Sequence, residues 1–330
     1  IISAITIPTG LLLADHIAAW LFQDATLGWI IMVTVAVLPL SAIGTLCNSV
    51  INGQQQYRRY VGLGMLSVLI SGAVMLTMIV LANIKGALLA TAVQAALIGV
   101  IMFIANLREP WFKLRYWWGA TDKKAKRVIG GYMLMALTTA LTVPISQILL
   151  RAILIDHVGW DVTGYWQAVW KISEVYLGVI TMALGTYYLP RLSSLSSPSE
   201  LIDEINRTAL IIIPVVALLA LMVYFIRDVT IWLLFTNAFK PARDLFSVQL
   251  LGDVIKIASW LYAYPMISRG ATKYFILSEI VSSSIFVGLG YILIAQYGVL
   301  GAMYSYVITY MLYLAFSFLN LKTFVNFGRG

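Results

Sequence analysis

Residues 163–189 read TGYWQAVWKISEVYLGVITMALGTYYL. This run is long enough, and apolar enough, to cross a bilayer as a helix. Its first half nevertheless carries Gln167, Lys171 and Glu174, and spacings of four and three put them on one helix face. A charged pair inside a spanning helix is costly, so it faces a cavity or a partner helix. The rest of the chain reads as the wall around that polar face.

Composition agrees. The chain is 61% hydrophobic and 11% charged, with a mean hydropathy of +0.90. Apolar runs of near-spanning length recur from end to end, which makes this an all-α polytopic transmembrane bundle. A barrel would show alternation instead of continuous apolar runs. The chain begins with Ile1 already inside an apolar run, without an initiator Met or a signal-peptide layout, so we expect a fragment lacking at least one N-terminal helix. A lone cysteine, Cys47, leaves no internal disulfide to form.

Ten helical segments are expected, at roughly 1–22, 27–53, 61–82, 86–107, 128–154, 163–189, 206–226, 243–268, 274–296 and 300–321. Their loops test the count. With 107–127 placed in the cytoplasm, loops on that side hold fifteen Lys and Arg residues and those on the other side four. That skew follows the positive-inside rule and puts the C-terminus in the cytoplasm. It also explains the net charge of +8 without nucleic acid. The organisation expected is an N-terminal lobe over 1–107 with four visible helices, a cytoplasmic amphipathic linker over 108–127, and a C-terminal lobe of six helices over 128–330. The linker combines Trp111, Phe112, Tyr116, Trp117 and Trp118 with KKAKR at 123–127, a composition suited to the headgroup layer.

A repeat crosses the linker. Phe22 after Trp20-Leu21 matches Phe235 after Trp232-Leu233-Leu234, Asn52-Gly53 matches Arg269-Gly270, and Gly86-Ala87 matches Gly301-Ala302, at offsets of 213, 217 and 215 residues. Both copies run in the same direction, so the repeat is parallel. Six helices in each lobe would make the parent a twelve-helix protein, with two helices absent ahead of Ile1.

Deep charge is confined to the C-terminal lobe. Lys171 lies about 12 Å into its helix, and Asp253 and Lys256 roughly 15 and 20 Å into theirs. All fall near the middle of a hydrocarbon core about 30 Å thick. Segments 27–53, 61–82 and 86–107 hold no Asp, Glu, Lys or Arg. One reading is a central substrate cavity lined by Lys171, Glu174, Asp253 and Lys256, with lysines attracting an anionic headgroup and carboxylates holding them or carrying a coupling ion. The plainer reading is two self-neutralising pairs, Lys171 with Glu174 and Asp253 with Lys256, that cement helices. Glu279, Gln167, Arg151 and Trp170 are further candidates, and three of these four have a structural alternative: Arg151 as an interface anchor, Gln167 as interhelical glue, and Trp170, with Trp166, as packing. Pro144 and Pro265 interrupt helices and could act as bends.

No GxxxxGK[ST], HExxH, GxSxG or CxxC occurs, and no long outer loop carries catalytic residue types. The expectation is a protein that is not an enzyme, with no cofactor, no metal ligand and no catalytic residue.

The runs at 164–195 and 231–260, KYFILSEI at 273–280 and YGVLGAMYSYVITYMLY at 297–313 resemble the polysaccharide repeat-unit flippases (Wzx type) of the multidrug/oligosaccharidyl-lipid/polysaccharide exporter superfamily. Within it the likeness is nearest the branch that flips lipid III in enterobacterial common antigen synthesis. The resemblance implies two six-helix lobes in a bacterial inner membrane. It implies a substrate of undecaprenyl-diphosphate-linked oligosaccharide, either that lipid III or an O-antigen unit, among membrane lipids. A glycan polymerase and a chain-length regulator are the partners it suggests. Glu174, Asp253, Lys256, Arg243-Asp244 and Glu279 sit within the family pattern; Lys171 stands where a small polar residue is familiar. Two rivals remain at this point. A cation-coupled multidrug exporter of the same superfamily would favour an anionic cavity, and a non-transporting scaffold for glycan-assembly enzymes would depend on the 107–127 segment instead.

Overall fold

The computed structural model describes residues 2–22, 24–54, 56–113 and 122–327. Among these every regular element is helical. The α-helices are α1 (Ile2–Leu12), α2 (Ala14–Phe22), α3 (Gly28–Gly53), α4 (Tyr57–Asn106), α5 (Lys123–Ala183), α6 (Leu189–Ser194), α7 (Pro198–Leu234), α8 (Phe246–Ser268), α9 (Thr272–Tyr297), α10 (Val299–Leu319) and α11 (Leu321–Asn326). Seven helical stretches among the described residues are long and apolar enough to cross a membrane. Two of them, α4 and the stretch built on α5, exceed a single crossing, and each contains one break.

The breaks have local causes. Helix α4 turns back at Ala82-Asn83, where Asn83 takes φ 50° and ψ −129°. Helix α5 turns at Gly159, with φ 80° and ψ 176°, a conformation open only to glycine. The α9–α10 corner uses Gly298 at φ 57° and ψ −138°, nearly the Asn83 geometry. In both Asn83 and Gly298 corners a glycine three residues on lets the new helix touch the old. A Cβ at Gly86 would strike the Met78 carbonyl, and one at Gly301 the Leu293 carbonyl.

Several boundaries differ from expectation. Helix α7 starts at Pro198 and not near 206, so most of the loop expected around Arg191–Arg207 is helix. The outer loop expected at 227–243 is helical to Leu234 and then 3₁₀ over Asn237–Leu245. The expected first helix is interrupted at Leu13, whose N–H still reaches the Thr9 carbonyl at 3.0 Å. Residues 123–127 open α5 and are not loop, while Tyr116, Trp117 and Trp118 lie outside the described residues. Asp24, before α3, accepts from the Thr26 N–H (2.9 Å) and hydroxyl (2.7 Å), which holds its carboxyl below the usual range.

Contacts divide the chain into two compact units, Ile1–Ala120 and Thr121–Gly330. In the first, α3 packs along α4, and Gly44 meets Gly99 so closely that a Cβ at Gly44 would strike the Gly99 backbone. Small residues that let helix backbones approach are the ordinary adhesive in lipid, where apolar burial gives no drive. Arg59 closes this unit at one end, pairing with Glu109 and donating to the Ala105 carbonyl (2.8 Å) and Asn106 Oδ1 (3.1 Å).

The second unit is built around α8, the most enclosed span, packed on α10 and α7. Two apolar clusters stack along it. One joins Leu150, Trp166, Trp170, Phe246, Phe286 and Tyr306; the other joins Leu184, Leu192, Leu201, Ile205, Ile257 and Leu261. Outward positions such as Leu218, Phe225 and Trp232 of α7 are exposed, as lipid-facing side chains are. Directly after α5 the turn Leu184–Tyr188 is π-helical, and Tyr188 Oη donates to the Leu261 carbonyl at 3.0 Å.

Candidate functional site

The site is assembled in the second unit by one missing side chain. Gly252 of α8 has no Cβ, and a Cβ there would collide with the Tyr306 ring of α10. Tyr306 therefore lies directly on α8. Its hydroxyl donates to Asp253 Oδ1 at 2.8 Å. Tyr176 of α5 donates to Asp253 Oδ2 at 2.7 Å, and Gln249 Nε2 to Oδ1 at 3.0 Å. Asp253 is 0% exposed. Three donors from three helices take the place of water around a buried carboxylate, as burial of such a group requires.

Lys256 stands one turn along α8. The Asp253–Lys256 pair does not form: among the described residues no ion pair or hydrogen bond reaches Lys256 Nζ. Four aromatic rings surround it instead, Trp260 at 5.0 Å, Tyr310 at 5.5 Å, and Trp170 and Tyr306 at 5.8 Å each. An ammonium over ring faces gains about 0.5–2 kcal/mol per favourable contact. That offsets part of its desolvation and leaves its charge unspent. The box is itself tightly packed, with Trp170–Tyr306 centroids 5.0 Å apart and Tyr306–Tyr310 4.9 Å.

Lys256 opens onto a cavity of about 820 Å³. Thr139, Pro144 and Gln147 of α5, Glu279, Ser282 and Ser283 of α9, and Tyr306, Tyr310 and Tyr313 of α10 line it. The wall is mostly aromatic and apolar, with one ammonium and one carboxylate. Glu279 accepts a long hydrogen bond from Thr139 Oγ1 (3.4 Å). A smaller chamber adjoins, lined by Glu174 among others.

The other sequence candidates are placed as follows. Trp170, Lys256 and Glu279 line the large cavity, and Glu174 the small chamber. Lys171 is exposed, lines neither, and pairs with Glu174 at 2.6 Å; Trp170 Nε1 also donates to Glu174 at 2.9 Å. Asp253 lies behind the wall, in neither lining. Arg151 is exposed and donates to Gln167 at 2.7 Å, bridging the two halves of α5. Trp166 is fully buried packing. Tyr176, Gln249, Trp260, Tyr306 and Tyr310 were not anticipated. One signal was available: Tyr306, Tyr310 and Tyr313 fall at i, i+4 and i+7, a single helix face.

Residues 1–244 match the family described as "Polysaccharide biosynthesis protein". The chain belongs to that family. It is 34% identical over 233 residues to the Lipid III flippase of Escherichia coli (strain K12), and equally to that of Shigella flexneri; each match takes in 71% of this chain and 56% of the relative. The chain thus spans little more than half the length of the curated relatives it matches. In fold it is similar to a multidrug resistance MATE family transporter of the MOP superfamily in an outward-facing conformation, with TM-score 0.80 and 14% identity over 98% of this chain and 76% of that one. A MOP superfamily transporter from Pyrococcus furiosus, described by a binding pocket of reverse polarity that suggests a different function, aligns at TM-score 0.78 and 12% identity, over 98% and 76%. The family member in hand is a polytopic helical membrane protein whose fold is similar to these transporters.

Proposed function

We propose that the protein is a flippase. It moves an undecaprenyl-diphosphate-linked oligosaccharide from the cytoplasmic to the periplasmic leaflet of the bacterial inner membrane, by alternating access. The observation that carries this reading is Lys256, whose amine makes no ion pair or hydrogen bond among the described residues and is held by four aromatic rings in the wall of a cavity of about 820 Å³. A diphosphate cannot cross hydrocarbon unaided, because desolvating it is prohibitive. An unspent positive charge attracts it, and aromatic walls suit sugar rings while the prenyl tail stays in lipid. The same charge disfavours the cationic drugs of a multidrug exporter.

Two finer points belong to this reading. The family's lobes are related by a parallel repeat, supported by the Asn83/Gly86 and Gly298/Gly301 corners, alike in geometry and 215 residues apart. The C-terminus is cytoplasmic, supported by the skew of basic residues. In this reading two polar pairs on α5, Lys171 with Glu174 and Arg151 with Gln167, set how the glycan approaches the site.

The test uses proteoliposomes and a lipid-linked oligosaccharide detected by a membrane-impermeant lectin. Lys256→Met is expected to reduce translocation at least about ten-fold, the scale of losing one charge-assisted contact, with Lys256→Arg retaining a measurable fraction. Wild-type rates from Lys256→Met would refute the proposal.

A further inference from the structure

Many of the described hydroxyls of this bundle are closed onto their own helices. Thr138, Thr142, Ser146 and Thr163 each donate to the carbonyl four residues back, as hydroxyls in lipid do. Ser173 is an exception. It is 4% exposed and its Oγ has no partner. Gln249, 1% exposed, is half satisfied. Its Nε2 donates to Asp253, and since a carboxylate only accepts, the amide cannot turn round; Oε1 is left as an orphan acceptor.

Both residues line the same chamber of about 180 Å³, with Glu174 beside them. The chamber shares Trp170, Lys256, Trp260 and Tyr306 with the large cavity, so these four side chains form the partition between the two. From this we infer that the chamber is a subsite for a single sugar ring of the glycan, with Lys256 at its threshold. The inference rests on the flippase reading and adds where one ring is held.

The chemistry selects the ligand. A sugar hydroxyl donates and accepts at once, so one ring can serve Ser173 Oγ and Gln249 Oε1 together, while Trp170 and Trp260 offer apolar surface to its C–H faces. The chamber has the room of about six waters at roughly 30 Å³ each, the bulk of one pyranose and not two. A metal ion fits poorly. Lys256 is in the wall, Glu174 is already neutralised by Lys171, and among the described residues no three His, Cys, Asp or Glu converge as a metal site.

The test titrates the full chain in nanodiscs with bare polyprenyl diphosphate and with the same lipid bearing one sugar, read by tryptophan fluorescence. The sugar is expected to tighten binding by about ten-fold, the scale of one or two good hydrogen bonds. Ser173→Ala and Gly178→Leu are each expected to bring the ratio of the two affinities close to one. Gly178 lines the chamber and a Cβ there meets nothing within 4 Å, so a side chain can be started there without a Cβ clash. A wild-type ratio of one, or a ratio that survives in both variants, overturns the subsite. Sodium-specific quenching that Ser173→Ala abolishes makes the chamber a cation site and overturns the sugar assignment. Failure of the bare lipid to bind, or binding indifferent to Lys256→Met, overturns the flippase reading itself.

Discussion

Asp253 and Lys256 differ by three positions on α8 and do different work. Asp253 is spent: three donors hold it, and it in turn holds Tyr306 and Tyr176 in place. Lys256 makes no ion pair among the described residues, and Tyr306, which Asp253 positions, is one of the four rings that box it. Removing the carboxylate should therefore act through stability first. Asp253→Ala orphans three buried donors at about 1–3 kcal/mol each before relaxation, so a loss of roughly 3 kcal/mol or more is expected. Tyr306→Phe removes one of those bonds and should cost about 1 kcal/mol. Thermal unfolding of the purified protein in detergent would show the difference; equal melting temperatures for Asp253→Ala and wild type would contradict this assignment. Lys171 makes the complementary case. It sits on the polar face read from the 163–189 run, but its ammonium is taken by Glu174 at an exposed position. Helical spacing predicts which residues share a face, and cannot say whether two neighbours on it turn to each other or to a cavity.

At the scale of elements, the helices follow from apolar length, and their ends from backbone chemistry. The two long helices fold back at Ala82-Asn83 and at Gly159, and α9 passes to α10 at Gly298. Asn83 occupies a conformation, φ 50° and ψ −129°, that glycine tolerates better than any residue with a Cβ. Asn83→Gly should leave stability unchanged or raise it by up to about 1 kcal/mol, whereas Asn83→Val should lower it by about 1–3 kcal/mol. Denaturation curves of the two variants decide this, and a valine as stable as asparagine would show that the corner is not where the strain resides. These corners were legible only in part. Asn83 and Lys85 marked a polar gap between apolar runs, and Gly159 stood in one, so the existence of a turn could be read. The extra helical length of α7 on both sides could not, because Ser, Asp and Glu at 199–206 read as loop in isolation and are carried into helix by Leu201 and Ile205, which the second apolar cluster buries.

For the whole molecule, the proposed flippase reading turns on polarity. Among the described residues, the cavity in the second unit is lined by one ammonium that makes no ion pair and by one carboxylate within aromatic walls, and the first unit's spans carry almost no charge. Cells expressing the protein should gain no resistance to cationic dyes, measured as growth inhibition against a vector control. A clear gain would favour the exporter reading over the flippase. Loss of glycan display on replacing the cavity lysine, with the protein still in the membrane, would set aside the scaffold reading.

Class and helical architecture were determined by the sequence alone, because in a bilayer the backbone must bond within its own segment and apolar length then dictates the spans. The polar face at 163–189 and the Asp253/Lys256 spacing belong to the same local order. Partner choice was decided only in three dimensions. Tyr176 and Tyr306 reach Asp253 from 77 and 53 residues away, and the box around Lys256 draws rings from α5, α8 and α10. A bare Gly252 admits Tyr306 to α8, the ring and the carboxylate bond, and the lysine is left free. Such a choice depends on which helices touch, and no spacing along one helix contains it.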